Sequence, residues 1–536
     1  VIETLLAALP IALILGLMLG LGWPAARAGA AGLAIALVLA LLVFTRPGTG
    51  FGEQGPLPAT AGAFAEALFT AATILWIIFP ALCIHQLQTR IGAVETLRGM
   101  LGRITPDPRL AAILVAWFFA LFIEGAAGFG TTIALAAPLL VSLGMSPAAA
   151  LSTALLGHAV GVSFGAVGTP ILPQIAATGL SGREIGGVTG LVHGMVGWVM
   201  LLFTMGVIRR SLSADPEHRQ PIWGFVAAAA ALFLAPMSVI AWWVGPELPT
   251  LAGALIGGVG FVVLLRLRSG KVTTGEPKRR QTARVGQGAQ IDVPAAAAAA
   301  PRTDVVRAAA PYLVLIAVIV LTRLVGPLRE ALTSIEISWI WRDTFRGAFQ
   351  PLYHPGTMLL ISFGLGAAWQ RTPLSEVRAS MGLAAQQLGG VALALVAMLS
   401  LSRILVHGGM IATLAQSAAA GVGGAWPLFA PFIGVLGTFV TGSATTSNIL
   451  FTDFQQATAI EIGLPVITIV AAQGFGAAVG NIICPHNIIA GGATVGLQGD
   501  IGPVLRRTLA ACLIYAALGG IIIAGLTWWF ATNHPA

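Results

Sequence analysis

The sequence predicts an all-α, polytopic membrane protein made of two inverted repeats with re-entrant or broken helices, with about 12–14 transmembrane helices in all. Three observations carry this reading. Of 536 residues, 57% are hydrophobic and 9% are charged, and the mean hydropathy is +0.90. A soluble domain carries about 25% charged residues. Apolar runs of the roughly 20 residues needed to cross a bilayer recur along the chain. They are clearest at 4–22, 29–45, 61–84, 186–208, 222–242, 247–265, 308–325 and 508–530. Finally, two stretches about 315 residues apart break apolar sequence with the same Gly, Ser, Thr and Pro punctuation, as broken helices around a midplane substrate site do.

In chain order, residues 1–105 form an N-terminal helix group. Its first apolar run has no basic stretch before it and is read as a span, not as a cleaved signal peptide. Residues 106–266 hold the first repeat, with interrupted motifs at 122–132 and 157–171. Residues 267–307 form a cytoplasmic linker that includes Lys278-Arg-Arg280 and a six-alanine run between Pro294 and Pro301. Low complexity and solvated charge mark it as a connector. Residues 308–536 hold the second repeat, with interrupted motifs at 441–448 and 473–487. Within it, 327–355 mixes Trp, Arg, Glu and Pro and reads as interfacial.

The net charge of +8 is a topology signal and implies no nucleic-acid partner. Arg27, Arg90, Arg98, Arg103, Arg109, Arg209, Arg210 and Arg219 fall in connecting loops, and 266–307 holds nine Arg or Lys against three acids. The positive-inside rule puts those loops in the cytoplasm and the N-terminus outside. Cys83, Cys484 and Cys512 lie in apolar surroundings at spacings that suit neither a disulfide framework nor zinc. No metal-ligand cluster, nucleophile elbow or phosphate loop is present, so the chain is read as a non-enzyme without metal or cofactor.

The first device is Glu124-Gly-Ala-Ala-Gly-Phe-Gly-Thr131, followed by Gly161-Val-Ser-Phe-Gly165-Ala-Val-Gly-Thr169-Pro170. The second is Thr441-Gly-Ser-Ala-Thr-Thr-Ser-Asn448, followed by Gly476-Ala-Ala-Val-Gly480-Asn-Ile-Ile-Cys484-Pro485. An offset of 315 places Gly161 on Gly476, Gly165 on Gly480, Thr169 on Cys484 and Pro170 on Pro485. An offset of 317 places Gly125 on Gly442, so a small gap separates the two matches. Small residues also let membrane helices pack closely, but two matched devices favour function over packing. A helix broken in mid-membrane offers free N–H groups at the start of its second half, where a small carboxylate fits.

The candidate substrate-binding residues are therefore Gly125, Gly128, Gly130, Thr131 and Thr132 in the first device. In the second they are Gly442, Ser443, Thr445, Thr446, Ser447 and Asn448. Glu124 is the sharpest single residue: an acid in hydrocarbon is costly, and burial favours its protonated form, which suits a proton carrier. His158 maps onto Gln473, so each half-site carries a polar side chain there. Arg403, His407 and His486 are further candidates for anion binding or proton relay. Asp453 lies close to the second device with no evident partner, and His85 and His193 are read as structural.

At these motifs the chain resembles the lactate permease family. The matching residues are Phe122 through Gly130, Phe164 through Ile171, Ala430 through Gly437, Thr441-Gly-Ser443, Ser447-Asn448 and Pro485. The likeness is strongest over about 110–190 and 400–500. It implies proton-coupled symport of lactate, glycolate or a similar 2-hydroxy monocarboxylate across the bacterial inner membrane. It also implies two inverted repeats, an elevator-like or rocking cycle, and a homodimer in the lipid bilayer. The chain departs from the family pattern at Ala444, where an Asp is usual, and at Asn481, where a Lys is usual. It departs again at His158 and at Val406-His407-Gly408. Loss of the acid together with the base fits a buried pair, because losing one alone would strand a charge. Sodium coupling, or a different organic anion, is the alternative.

Overall fold

The computed structural model describes residues 2–45, 48–101, 104–128, 130–212, 221–268, 302–497 and 502–533. Most of the expected linker, and Phe129 of the first device, lie outside them. The chain is a bundle of apolar helices. The N-terminal group is α1 (Ile2–Leu21), α2 (Ala25–Leu42) and the long α3 (Pro56–Arg90). The first device lies between α4 (Pro108–Ala126) and α5 (Thr131–Ser142). A first arm, residues 147–178, opens with α6 (Pro147–His158) and continues through a broken segment. Then come α7 (Gly182–Val196), α8 (Trp198–Ser211), α9 (Ile222–Trp243) and α10 (Pro249–Arg268).

The second half begins with α11 (Ala310–Leu324). A hairpin of β1 (Ile337–Trp341) and β2 (Phe345–Phe349) follows, then α12 (Pro355–Trp369), α13 (Leu374–His407) and α14 (Met410–Val422). The second device lies between α15 (Trp426–Thr441) and α16 (Ala444–Glu461). A second arm holds α17 (Val466–Gly480) and α18 (Pro485–Ala493), and α19 (Gly502–Asn533) closes the chain.

Among the described residues, ten helices are long and apolar enough to cross a membrane, or up to twelve if each bent pair is one span. The sequence expectation of about 12–14 meets the upper figure of twelve. Pieces such as α5 and α12 are apolar but shorter than a span. The arms and α4 are the most deeply enclosed elements: every residue of the best window in the first arm is buried, and 94% of that in α4. They read as apolar throughout because protein surrounds them on all sides.

The hairpin is the one departure from an all-α chain among the described residues. Arg342 and Asp343 take positive φ values of 53° and 57° at its tip, which turns the chain back on itself. Trp341 pairs with Phe345, and Phe345 is fully buried against Gly62 of α3. The hairpin is thereby anchored on the N-terminal group.

Candidate substrate and ion site

The first break follows from its glycines. Helix α4 passes through a π-helical turn at Leu114–Phe119, a widening that inserts an extra residue and often marks functional helices. It ends at Ala126. Gly128 (φ 56°) and Gly130 (φ 80°) take left-handed conformations that a side chain would resist, and α5 starts at Thr131. Gly125 serves differently: a Cβ there would meet the Leu251 backbone nitrogen at 2.4 Å, so it permits a close helix contact.

Glu124 is 6% exposed and sits on the last turn before this break. Thr132 donates its hydroxyl to Glu124 Oε2 at 2.7 Å, and Thr131 donates to the Gly128 carbonyl at 2.7 Å. Oε1 faces Gly165 so closely that a Cβ there would lie 2.5 Å from it. Among the described residues no cationic side chain pairs with Glu124.

Opposite Glu124, the first arm is broken by a left-handed turn. Ala166 (φ 43°), Val167 (φ 57°) and Gly168 (φ 79°) follow one another there. Left-handed backbone costs roughly 1–2 kcal/mol for each ordinary residue, and a β-branched residue there is an outlier. Such strain persists where surrounding structure over-determines it, often at functional sites.

In the second half, Gly442 (φ 74°) ends α15 and Ser443 caps α16, accepting from the Thr446 N–H at 3.2 Å. Ser447 donates to the Gly434 carbonyl at 2.9 Å. Asn448 reaches across the molecule and donates to the Pro170 carbonyl of the first arm at 2.8 Å. Gln473 donates towards Ser447 Oγ (3.2 Å) and Asn448 Oδ1 (3.3 Å), and accepts from Gln455 at 3.1 Å. Thr445 is buried beside them and Thr446 is half-buried.

The second arm breaks where the first does. Helix α17 ends at Gly480, Asn481–Ile483 is a tight 3-10 turn, Cys484 is extended, and α18 starts at Pro485. The 315 offset between the arms is thus an offset between equivalent breaks. The devices register differently from the sequence expectation. Gly442 is left-handed, as are Gly128 and Gly130 in the first device, whereas Gly125 lies within the helix. Ala444 and Asn481 both lie at the breaks of the second half. Asn487 donates to both the Gly442 and Asn481 carbonyls at 3.3 Å. Ala444 clusters with Val162, Ala477 and Ala478 in a small apolar patch between the halves.

Further contacts tie the halves together. Gln174 donates to the Val470 carbonyl at 2.7 Å, and Ser163 donates to the Gly474 carbonyl at 3.2 Å. Because Ser163 spends its proton there, it must accept from His193 Nε2 (2.8 Å). His193 Nδ1 then accepts from the Tyr515 hydroxyl at 2.9 Å. One neutral tautomer of His193 satisfies the whole chain. Sequence reasoning read His193 as structural and did not see this link between halves.

Two other histidines are not brought to Glu124 by hydrogen bonds. His158 gives its Nδ1–H to the Ala154 carbonyl of its own helix at 2.7 Å. His407 closes α13 and bonds Glu66 Oε2 at 2.8 Å, while Glu66 Oε1 accepts the Arg346 N–H of the hairpin at 3.0 Å. Glu66 was legible by the rule that singled out Glu124, as an acid inside the apolar run 61–84. Asp453 finds the partner the sequence did not show: Arg403 NH2 donates to it at 2.5 Å and Ser402 Oγ at 2.8 Å. Among the described residues no group of three or more His, Cys, Asp or Glu could hold a metal ion.

A family profile described as L-lactate permease matches residues 3–529. The chain belongs to the L-lactate permease family. It is 28% identical to the L-lactate permease of Salmonella typhimurium, over 98% of this chain and 97% of that protein. It is equally similar to the L-lactate permease of Bacillus subtilis, over 92% and 90%. Glycolate permease GlcA of Escherichia coli is also 28% identical, over 91% and 90%. These relatives are permeases, so the family reading is of a transporter and not an enzyme. Among solved structures, the fold is similar to the YdaH transporter of Alcanivorax borkumensis. The TM-score is 0.52 at 15% identity, covering 95% of this chain and 99% of that one. Neisseria gonorrhoeae MtrF gives 0.51 at 16% identity, over 93% and 95%. The family thus joins the helical membrane architecture as a secure conclusion.

Proposed function

We propose that this protein is a proton-coupled symporter of a small 2-hydroxy monocarboxylate, of the L-lactate or glycolate type, in the bacterial inner membrane. The observation that carries the reading is Glu124: a buried carboxylate at a helix break, bonded to a threonine hydroxyl, with no counter-charge among the described residues. An unpaired carboxylate charge away from water is expensive, and a proton removes that charge. The names of the relatives supply the substrate class.

The substrate carboxylate is assigned to the helix starts at Gly130–Thr132 and Ser443–Asn448, where N–H groups and the positive ends of α5 and α16 suit an anion. The ties from Asn448 to Pro170, Gln174 to Val470 and Ser163 to Gly474 favour movement of both broken arms as one body. Ser447 and Asn448, which could otherwise favour sodium, already bond protein groups.

The test is uptake of labelled L-lactate and glycolate into proteoliposomes under an inward proton gradient, with sodium or choline. Accumulation without sodium is expected. Glu124→Gln should keep counterflow exchange and lose accumulation driven by the pH gradient. Full accumulation by that variant removes Glu124 from the mechanism. Accumulation only with sodium replaces the proton.

A further inference from the structure

A second buried acid stands on the connection that packs against the same left-handed turn. At Gly165 the turn faces Glu124. At Gly168 a Cβ would meet the Pro246 carbonyl oxygen at 2.6 Å and the Glu247 nitrogen at 3.2 Å. Glu247 is 7% exposed, just before α10. Its Oε1 accepts from Arg323 NH2 of α11 at 2.8 Å. Its Oε2 is buried with no hydrogen-bond partner among the described residues.

The pair is asymmetric. Arg323 also donates through NH1 and NH2 to the Tyr353 carbonyl at 3.1 Å, and its guanidinium lies 3.7 Å from the centre of the Tyr353 ring. Without Glu247, Arg323 would keep these contacts. Without Arg323, Glu247 would have none shown. The other titratable group nearby is His354. Burial, and secondarily the Arg323 charge, push its pKa down to about 4, so it is neutral at pH 7. It offers Glu247 no second positive charge.

The backbone at Pro246–Glu247 packs on the broken arm at Gly168, whereas Arg323 lies on α11 and Tyr353 just before α12; these two helices pack on each other, and α12 packs on α3. We propose that Glu247 is a second proton-binding site, which takes a proton when the arm moves and Arg323 parts from it. The ion pair with Arg323 is given up, the carboxylate oxygen gains the proton, and no other covalent bond changes. The proton cancels a charge that would otherwise be stranded in a buried place. Proton uptake is thereby linked to motion of the arm. This rests on the proton-coupled reading above.

The experiment compares wild type with Glu247→Gln/Arg323→Met, which removes both charges together. Protons moved per substrate are read from reversal potentials in proteoliposomes, alongside counterflow exchange. The double variant is expected to keep exchange and to lose one coupled proton. At a gradient of one pH unit that lowers accumulation about tenfold. An unchanged ratio overturns the proposal. Lack of proton-driven accumulation by wild type itself would instead overturn the function reading. Arg323→Lys gives a second measure that keeps the charge. Its weaker hold on Glu247 should move the pH midpoint of accumulation upward, and an unmoved midpoint also counts against the site.

Discussion

Gly165→Ala isolates the Glu124 carboxylate. The residue sits at φ −63° and ψ 155°, which alanine adopts freely, so the substitution adds no backbone strain. By itself, Gly to Ala at a compatible position stabilises by about 0.4–1 kcal/mol. The three nearest atoms to the new methyl all belong to Glu124, with Oε1 at 2.5 Å. Ordinary contact requires the carboxylate to retreat by roughly 1 Å. The 2.7 Å bond from Thr132 to Oε2 then stretches out of range. A hydrogen bond to a charged group is worth about 1.5–3 kcal/mol, or about 10- to 150-fold in rate or affinity. Proton-driven uptake should fall within that range while thermal stability in detergent holds. The control is a double-mutant cycle with Glu124→Ala read by counterflow exchange, where the methyl's three nearest contacts are gone and its effect should vanish. An equal loss in both backgrounds refutes the claim that Gly165 acts through Glu124.

Two further outcomes follow from the second break and the tie between halves. Ala444→Asp alone puts a carboxylate into a patch with no cation. It should cost about 3–5 kcal/mol, most of which Ala444→Asp/Asn481→Lys recovers; thermal unfolding of both variants decides whether these positions form a pair. Asn448→Ala removes the bond to the Pro170 carbonyl and should cost about 0.6–1.7 kcal/mol, the range for hydrogen bonds inside membrane proteins. A melting temperature equal to that of wild type would mean this tie carries no stability.

The helical membrane class was legible because burial in lipid or protein leaves a continuous apolar record in the chain. The breaks were legible for a related reason. Proline at 170 and 485 begins the second piece of each arm, and glycine at 165 and 480 ends the first. Registration was less legible. The first device offers Gly125, Gly128 and Gly130, and spacing alone cannot tell which need positive φ and which need close packing. The structure gives Gly125 the packing role and the other two the turn. The hairpin was hidden because 327–355 has mixed composition and its strands are short.

Partners at long range were hardest to read. His407 and Arg403 lie one turn apart, and each is a candidate for anion binding or proton relay. The structure sends them to acids on different helices, Glu66 on α3 and Asp453 on α16. Both acids were readable as costly in hydrocarbon, but the sequence did not pair them. The same holds for Glu247, which stands in Gly245-Pro246-Glu247-Leu248-Pro249 and resembles an ordinary connecting turn. Only packing shows that this connection touches the strained turn opposite Glu124. A membrane interior makes these acids informative precisely where the chain pattern is silent. Each buried carboxylate needs a proton, a cation or a donor, so the unsatisfied one points to chemistry. Glu66 has His407 and a backbone N–H, and Asp453 has Arg403 and Ser402. Glu124 has one hydroxyl, and Glu247 has one oxygen with no partner shown. The two least satisfied acids stand on segments that pack against a single left-handed turn, and that convergence is the structural reason to seek the proposed coupling protons there.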